Sequence, residues 1–496
     1  MFGHQPTAEQ QHAIDVATQF MTDRDERSLM ILRGAAGTGK TTLAASVVKA
    51  MTAAGQKLLL LAPTGRAAKV LSIYAGVQAY TIHRRIYRQK SIDGDFGLNF
   101  NSAQDTLVVV DEASMLANSS QSGVTPFRYG QLLDDLVEFV YSGRNCRLML
   151  IGDAAQLPPV GESDSPALRS DVMRAYSMKV YEASLSEVLR QSLDSGILWN
   201  ATLIRHMLSS GECAVPKIRL RGFADIVAVP GDELIETLAT SYSRAGLDET
   251  IVVTRSNKRA NIYNQGIRRT VLDRDDELCR GDMLMIVKNN YYWGSQEERA
   301  LEALRPSMTA SPQKDSMPSA LNYPPSALNY PPSALNSKKG GAFLANGDRA
   351  RVERVRNVRE LYGFRFADVI MTMPDYDARE LTATVLLDTL GSEAPALTSE
   401  QQERLRNAVM DDYSDITQKT ERLKRVRDDR YYNALQVKFA YAVTCHKAQG
   451  GQWAHVYVDQ GYITDDMLTP DYLRWLYTAF TRATEKLFLV NWRSEE

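Results

Sequence analysis

The chain has 496 residues, 44% of them hydrophobic and 24% charged, and a net charge of −2. That length exceeds one ordinary core and leads us to expect roughly two to four globular domains. A charge so close to neutral excludes a global attractive field for nucleic acid, so any such surface must come from local arrangement. Cys146, Cys213, Cys279 and Cys445 are scattered without a CxxC pair, which argues against a zinc site or disulfide framework. No run approaches the ~18 apolar residues of a membrane span. The opening MFGHQPTAEQQ lacks the layout of a signal peptide, and a cytoplasmic chain is expected.

In chain order, apolar runs at 28–32, 57–62, 106–110 and 147–151 alternate with helical patterns. Apolar on both faces and bounded by turns, they predict a parallel sheet covered on both sides. A polar insert at 84–105, QKSIDGDFGLNFN, carries an Asp93-Gly94 hairpin signal. A second α/β region starts near Leu185, with strands predicted at 250–254, 437–443, 455–458 and 487–490. Residues 297–341 contain a tandem PSALNYP heptad; two prolines per repeat forbid helix and predict a linker. The strand-like alternation at 345–390 suggests a small β-barrel, and 399–430 is charged with a helical period, predicting a solvated helical face.

Two segments carry chemistry. GAAGTGKT, Gly34 to Thr41, fits GxxxxGK[ST] between a predicted strand and helix. Its glycines let backbone N–H groups close around phosphate, and the helix N-terminus adds its positive end. Lys40 is expected at the β- and γ-phosphates and the Thr41 hydroxyl on Mg²⁺. With Gly37, Thr38, Gly39 and Thr42 they form the expected ATP site. The strand LVVV then ends in Asp111-Glu112, where ligands bind in an open α/β sheet. Asp111 is expected to hold Mg²⁺ through water and Glu112 to polarise the attacking water.

Further motifs follow in one order: TAEQ (7–10), APTGRAAK (62–69), TIHR (81–84), VDEASM (110–115), GDAAQLPPVG (152–161), LSEVLRQ (185–191), TRSNKRANIYN (254–264), TCHKAQG (444–450) and YTAFTRA (477–483). This set resembles the superfamily 1B DNA helicases, in the group of RecD-like and phage Dda-like enzymes. The resemblance implies two RecA-like motor domains with a pin hairpin inserted in the first. It implies an SH3-like barrel and a helical insert in the second. Boundaries are expected at 1–185 for the first motor domain, including 84–105, and at 186–296 for the start of the second. The linker then spans 297–341, barrel and helical insert 342–433, and the rest of the second motor domain 434–496.

The resemblance also implies roles. Gln10 matches the adenine-reading glutamine, whose amide both donates and accepts. Gln156 matches the γ-phosphate sensor, and Arg190 and Arg482 match two arginine fingers. Pro63, Thr64, His83, Thr444, His446 and Lys447 match positions that touch the DNA backbone without reading sequence. Phe96 and Phe100 are candidates to stack on the last base pair, with packing inside the hairpin as the alternative. The implied activity is 5′→3′ movement on single-stranded DNA and unwinding of forks, by a monomer using ATP and Mg²⁺. A metabolic P-loop enzyme would not need TCHKAQG or YTAFTRA; an RNA helicase and a translocase that does not unwind remain open.

Overall fold

The computed structural model describes residues 5–89, 96–118, 131–188, 194–290, 292–293, 344–376 and 378–492. The Asp93-Gly94 turn, Arg190 and the repeat segment 297–341 therefore lie outside the described residues.

Among the described residues the first region has eight strands: β1 (Ser28–Gly34), β2 (Lys57–Ala62), β3 (Ala79–Thr81), β4 (Tyr87–Gln89), β5 (Phe96–Leu98), β6 (Thr106–Val110), β7 (Arg147–Gly152) and β8 (Lys179–Leu185). Six form one parallel sheet in the order β3-β2-β6-β7-β1-β8. Successive side chains of a strand point to opposite faces. Leu29 and Ile31 accordingly join one core, while Met30 and Leu32 join another. Helices Ala8–Thr22, Lys40–Ala53 and Gly65–Ala75 cover the second face with Phe20, Leu43 and Leu71. Leu133 and Leu136 of the helix Leu132–Tyr141 cover the first. β4 and β5 pair as an antiparallel hairpin beside this sheet.

A second parallel sheet has the order β16-β10-β17-β18-β9. Its members are β9 (Ile226–Val229), β10 (Thr250–Thr254), β16 (Ala442–Thr444), β17 (Trp453–Asp459) and β18 (Ala483–Val490). Between β10 and β16 the chain builds a closed barrel from β11 (Met283–Ile286), β12 (Arg349–Leu361), β13 (Phe364–Met373), β14 (Arg379–Leu386) and β15 (Leu435–Phe439). The barrel thus starts and ends outside the expected 342–433. The run expected as one motor strand at 437–443 is divided, because β15 closes the barrel against β11 and β14 while β16 joins β10.

Barrel and second sheet share one apolar core, and charge pins the barrel's root. Arg268 donates two hydrogen bonds to fully buried Asp282, at 3.2 and 3.0 Å, and the Tyr441 hydroxyl donates to the same carboxylate at 2.8 Å. The helices Ser399–Asp412 and Lys419–Arg427 bury Leu405, Val409 and Val426 against Phe364, Phe366 and Leu386. The segment expected to present a solvated face is therefore also packed onto the barrel. Among the described residues no helix is long and apolar enough to cross a membrane.

A second buried pair joins the barrel to both parallel-sheet regions, since Asp375 also lies 4.0 Å from Arg66 of the first. Arg349 donates to both oxygens of Asp375, at 3.1 and 3.0 Å, and to the Asp248 carbonyl at 2.9 Å. Removing one member of such a pair strands the other charge, at about 3–5 kcal/mol. We expect Asp375→Asn to lose about that much in the first urea-unfolding transition. An unmoved midpoint would show that the charge is relieved by water.

Candidate nucleotide site and nucleic-acid groove

The loop after β1 turns through Gly37 and Gly39, both at φ +76°, a left-handed conformation that glycine adopts without steric cost. Gly39 caps the helix Lys40–Ala53 with no side-chain hydrogen bond, so the first-turn N–H groups have no side-chain acceptor at that cap. Thr38 is buried, its hydroxyl donating to the Ala35 carbonyl at 2.8 Å. Gln10 reaches the loop from the helix Ala8–Thr22, its amide donating to the Thr38 carbonyl at 3.2 Å. Lys40 Nζ donates to the Gly34 carbonyl at 3.3 Å. Thr41 is half-buried and Thr42 exposed.

Asp111 follows β6 and is buried. Burial and the adjacent Glu112 push its carboxyl up to about 6, against the opposing pull of Lys40. Its Oδ1 accepts from the Glu112 N–H at 2.8 Å, and Glu112 sits at φ +53°. Such a backbone costs a non-glycine residue ~1–3 kcal/mol and is typical of functional sites. Glu112 Oε2 and Gln156 Oε1 are buried without a hydrogen-bond partner among the described residues. Orphaned buried acceptors on the turns that follow the neighbouring strands β6 and β7 fit a site whose partner is a cation, water or phosphate-bound donor.

The second sheet's region closes over this site. Buried Arg482 reaches to 3.9 Å from Glu112 Oε1, while donating to the Thr478 and Gly451 carbonyls at 3.0 and 3.2 Å. The Tyr477 hydroxyl donates to Asp153 Oδ2 at 2.6 Å and accepts from the Ala36 N–H at 2.9 Å. Leu157, one residue past Gln156, has its N–H bound by Thr478 Oγ1 at 2.8 Å and its carbonyl by the Gln449 amide at 2.6 Å.

A groove surface runs beside it. Pro63 and Thr64 precede the helix Gly65–Ala75, and the Thr64 hydroxyl accepts from the Ala67 N–H at 3.2 Å as its N-cap. The Cβ position of Gly450 lies 3.0 Å from Thr64 Oγ1, so the TCHKAQG turn packs directly on APTG. Thr444 begins the short helix Cys445–Ala448 without using its hydroxyl as a cap. His446 is exposed, and burial beside Lys438 lowers Lys447 to about 8. His83 packs its ring 5.6 Å from that of Tyr87, and burial lowers it to about 4. It is therefore neutral at pH 7 and offers a hydrogen-bonding imidazole in place of a cation.

The barrel approaches the same helix start. A Cβ on Gly65 would lie 2.6 Å from Asp348 Oδ1, so only glycine admits this contact. Lys69 donates to the Pro374 carbonyl at 2.7 Å, and Arg66 lies over the Trp453 ring at 4.5 Å. Phe96 pairs with Gln89 in the hairpin ladder, but its side chain lies outside the described set. Phe100 is 73% exposed, which leaves it unpacked by the hairpin.

Comparison with known proteins agrees with this layout. An AAA domain model matches residues 5–210 and a UvrD-like helicase C-terminal domain model matches 439–490. The ATP-dependent DNA helicase dda of Enterobacteria phage T4 is 25% identical over 270 residues, 53% of this chain and 57% of that protein. The ATP-dependent RecD2 DNA helicase of Deinococcus radiodurans is 30% identical over 181 residues, 36% of this chain and 22% of that protein. The chain is similar to helicases of superfamily 1B in both matched regions. Its matches thus span little more than half, or less, of these curated relatives. The crystal structure of a Pif1 helicase from Bacteroides with ADP-AlF3 and ssDNA covers 99% of this chain and 93% of its own. Its TM-score of 0.44 at 14% identity is too weak a likeness to carry function.

Four residues at this site escaped the sequence reading: Asp153, Tyr477, Thr478 and Gln449. Each lies inside a motif quoted above, yet nothing in spacing shows that Tyr477 will span two domains. The described residues hold no group of three or more His, Cys, Asp or Glu arranged for a metal. A Mg²⁺ here would rest on Asp111, Thr41 and the nucleotide's own oxygens.

Proposed function

We propose that the chain is an ATP-dependent DNA helicase that moves 5′→3′ on single-stranded DNA and separates the strands of a fork as a monomer. The observation that carries this reading is the contact across the motor cleft. Arg482 and Tyr477 of the second region meet Glu112, Asp153 and Ala36 of the first. A nucleotide held there is sensed by both domains at once, which a motor requires and a metabolic P-loop enzyme does not. We assign the first motor domain to 1–185, the second to 186–282 and 440–496, and the barrel with its helices to the insert between them, from β11 to β15.

In this reading the P-loop amides and Lys40 hold the phosphates, and Gln10 faces the base edge. Asp111 and Thr41 hold Mg²⁺, which when bound offsets charge on the phosphate oxygens. Glu112 orients and polarises the attacking water. Gln156 reads the terminal phosphate, and the Leu157 peptide passes its displacement to Gln449 in the TCHKAQG turn. Arg482 supplies a fixed cation, and Arg190 is proposed as its companion finger. Thr64, Thr444 and Lys447 grip DNA phosphates, with Pro63, His83 and His446 lining the groove.

Strand displacement on matched 5′-tailed and 3′-tailed duplexes, with ATP and Mg²⁺, tests motor activity and direction together. We expect unwinding of the 5′-tailed substrate; preference for the 3′ tail would refute the polarity. ATPase stimulation by DNA over RNA tests the strand class. Exposed Phe100 should act as the wedge, since base–aromatic stacking is worth ~1–3 kcal/mol. Phe100→Ala should therefore slow unwinding while sparing DNA-stimulated ATPase. Equal loss of both would reduce the hairpin to a structural element.

A further inference from the structure

A cavity of about 510 Å³ lies in the motor cleft against the outer side of the phosphate loop. Its inner wall is formed by Gly34–Ala35 and by Asp153 with the two residues after it. Lys40 Nζ bonds the carbonyl of Gly34, so a single peptide group separates that amine from the cavity. Lys40 marks the end of the nucleotide that is cleaved.

Charge distinguishes this space from an ordinary crevice. Arg33, Arg205 and Arg474 all line it. Arg33 is paired with Glu182 at 2.9 Å and Arg474 with Asp164 at 3.1 Å. Half-buried Arg205 donates to the Ser186 carbonyl at 3.1 Å and has no ion pair among the described residues. A cation so placed retains donors for an oxyanion, and guanidinium groups match phosphate geometry. The wall also has a movable tie. Tyr477 lies one turn beyond Arg474 on the helix Pro470–Phe480. Its hydroxyl bridges Ala36 to Asp153, the two segments that bound the cavity. Separating the motor domains would break both bonds and part those segments.

We propose that this cavity is the exit for inorganic phosphate, with Arg205 as its receiving cation and the Tyr477 bridge as its gate. The proposal rests on ATP cleavage at the phosphate loop. Phosphate then leaves on the Lys40 side while ADP stays held by the loop, so release of the two products is separable. Neither Arg205 nor Ser209, both in the cavity lining, belongs to the motifs that bind or cleave the nucleotide.

The test uses the full chain with single-stranded DNA in single turnovers. Cleavage is read by acid quench and phosphate release by a fluorescent phosphate-binding sensor. Arg205→Gln should leave cleavage unchanged and slow release about tenfold, the factor that one lost charge-assisted contact gives. Ser209→Trp places a bulky ring on an exposed, cavity-lining position and should delay release without touching the arginines or the loop. Inorganic phosphate binding to the ADP-bound chain, read by ³¹P line broadening, should weaken in Arg205→Gln. Release that keeps pace with cleavage in both variants, or unaltered phosphate binding, overturns the exit and leaves the ATPase reading standing. Absence of cleavage by the unsubstituted chain would remove both.

Discussion

Glu112→Gln should lower DNA-stimulated ATP turnover by ~10²–10⁴-fold, the range for loss of a positioned general base, and leave nucleotide binding intact. The substitution is nearly isosteric, so it removes charge without opening a cavity. That matters because Glu112 is held in a strained left-handed turn at the end of β6. Its backbone N–H is bonded to Asp111 and its Oε2 is buried without a partner. A buried acceptor left unmatched costs ~1–3 kcal/mol, and a folded chain retains that cost where a ligand or water completes the shell. Lys40→Ala provides the contrast, because it removes the phosphate-loop cation and should weaken binding itself. Equilibrium binding of a fluorescent ATP analogue and steady-state ATPase separate the two. Glu112→Gln turnover within a few-fold of the parent would sink the water-activating role.

The loop of the candidate phosphate site was legible because its geometry is local. GAAGTGKT fixes a loop by glycine conformation alone, and β1 and β6 are apolar on both faces, which identifies buried parallel strands. β8 escaped because KVYEASL exposes part of its length at the sheet edge, which hides the apolar run. The barrel's limits escaped for another reason. MLMI in β11 and LQVKF in β15 are as buried as the motor strands, and burial does not say which sheet a strand joins. Pairing is a long-range property, decided here by partners as distant as Leu284 and Phe439. The cleft contacts were hidden in the same way. Tyr477 reads as core until Ala36 and Asp153 are brought to it by folding.

Arg482→Ala should lower turnover by ~10³–10⁵-fold if its guanidinium acts as an arginine finger. The structure offers a competing role, because Arg482 is buried and satisfied largely within its own domain. It donates to the Thr478 and Gly451 carbonyls and to Thr481 Oγ1. These acceptors aim the planar fork at Glu112, 3.9 Å away in the other domain. Aiming and bracing predict different outcomes. A brace lost to alanine strands buried carbonyls, so stability and nucleotide-free DNA binding should fall together with turnover. A finger lost to alanine spares DNA binding and the KM for ATP while kcat collapses. Arg482→Lys sharpens the distinction, since it keeps the charge but cannot span the same acceptors in a rigid plane. For a finger we expect lysine to recover little of kcat, because cation placement is what counts. A drop in kcat of less than tenfold in Arg482→Ala, or a shared loss of stability and DNA binding that lysine does not restore, would leave Arg482 as the post that holds the second domain against Glu112. The transition-state cation would then have to come from Arg190, and Arg190→Ala would carry the larger loss.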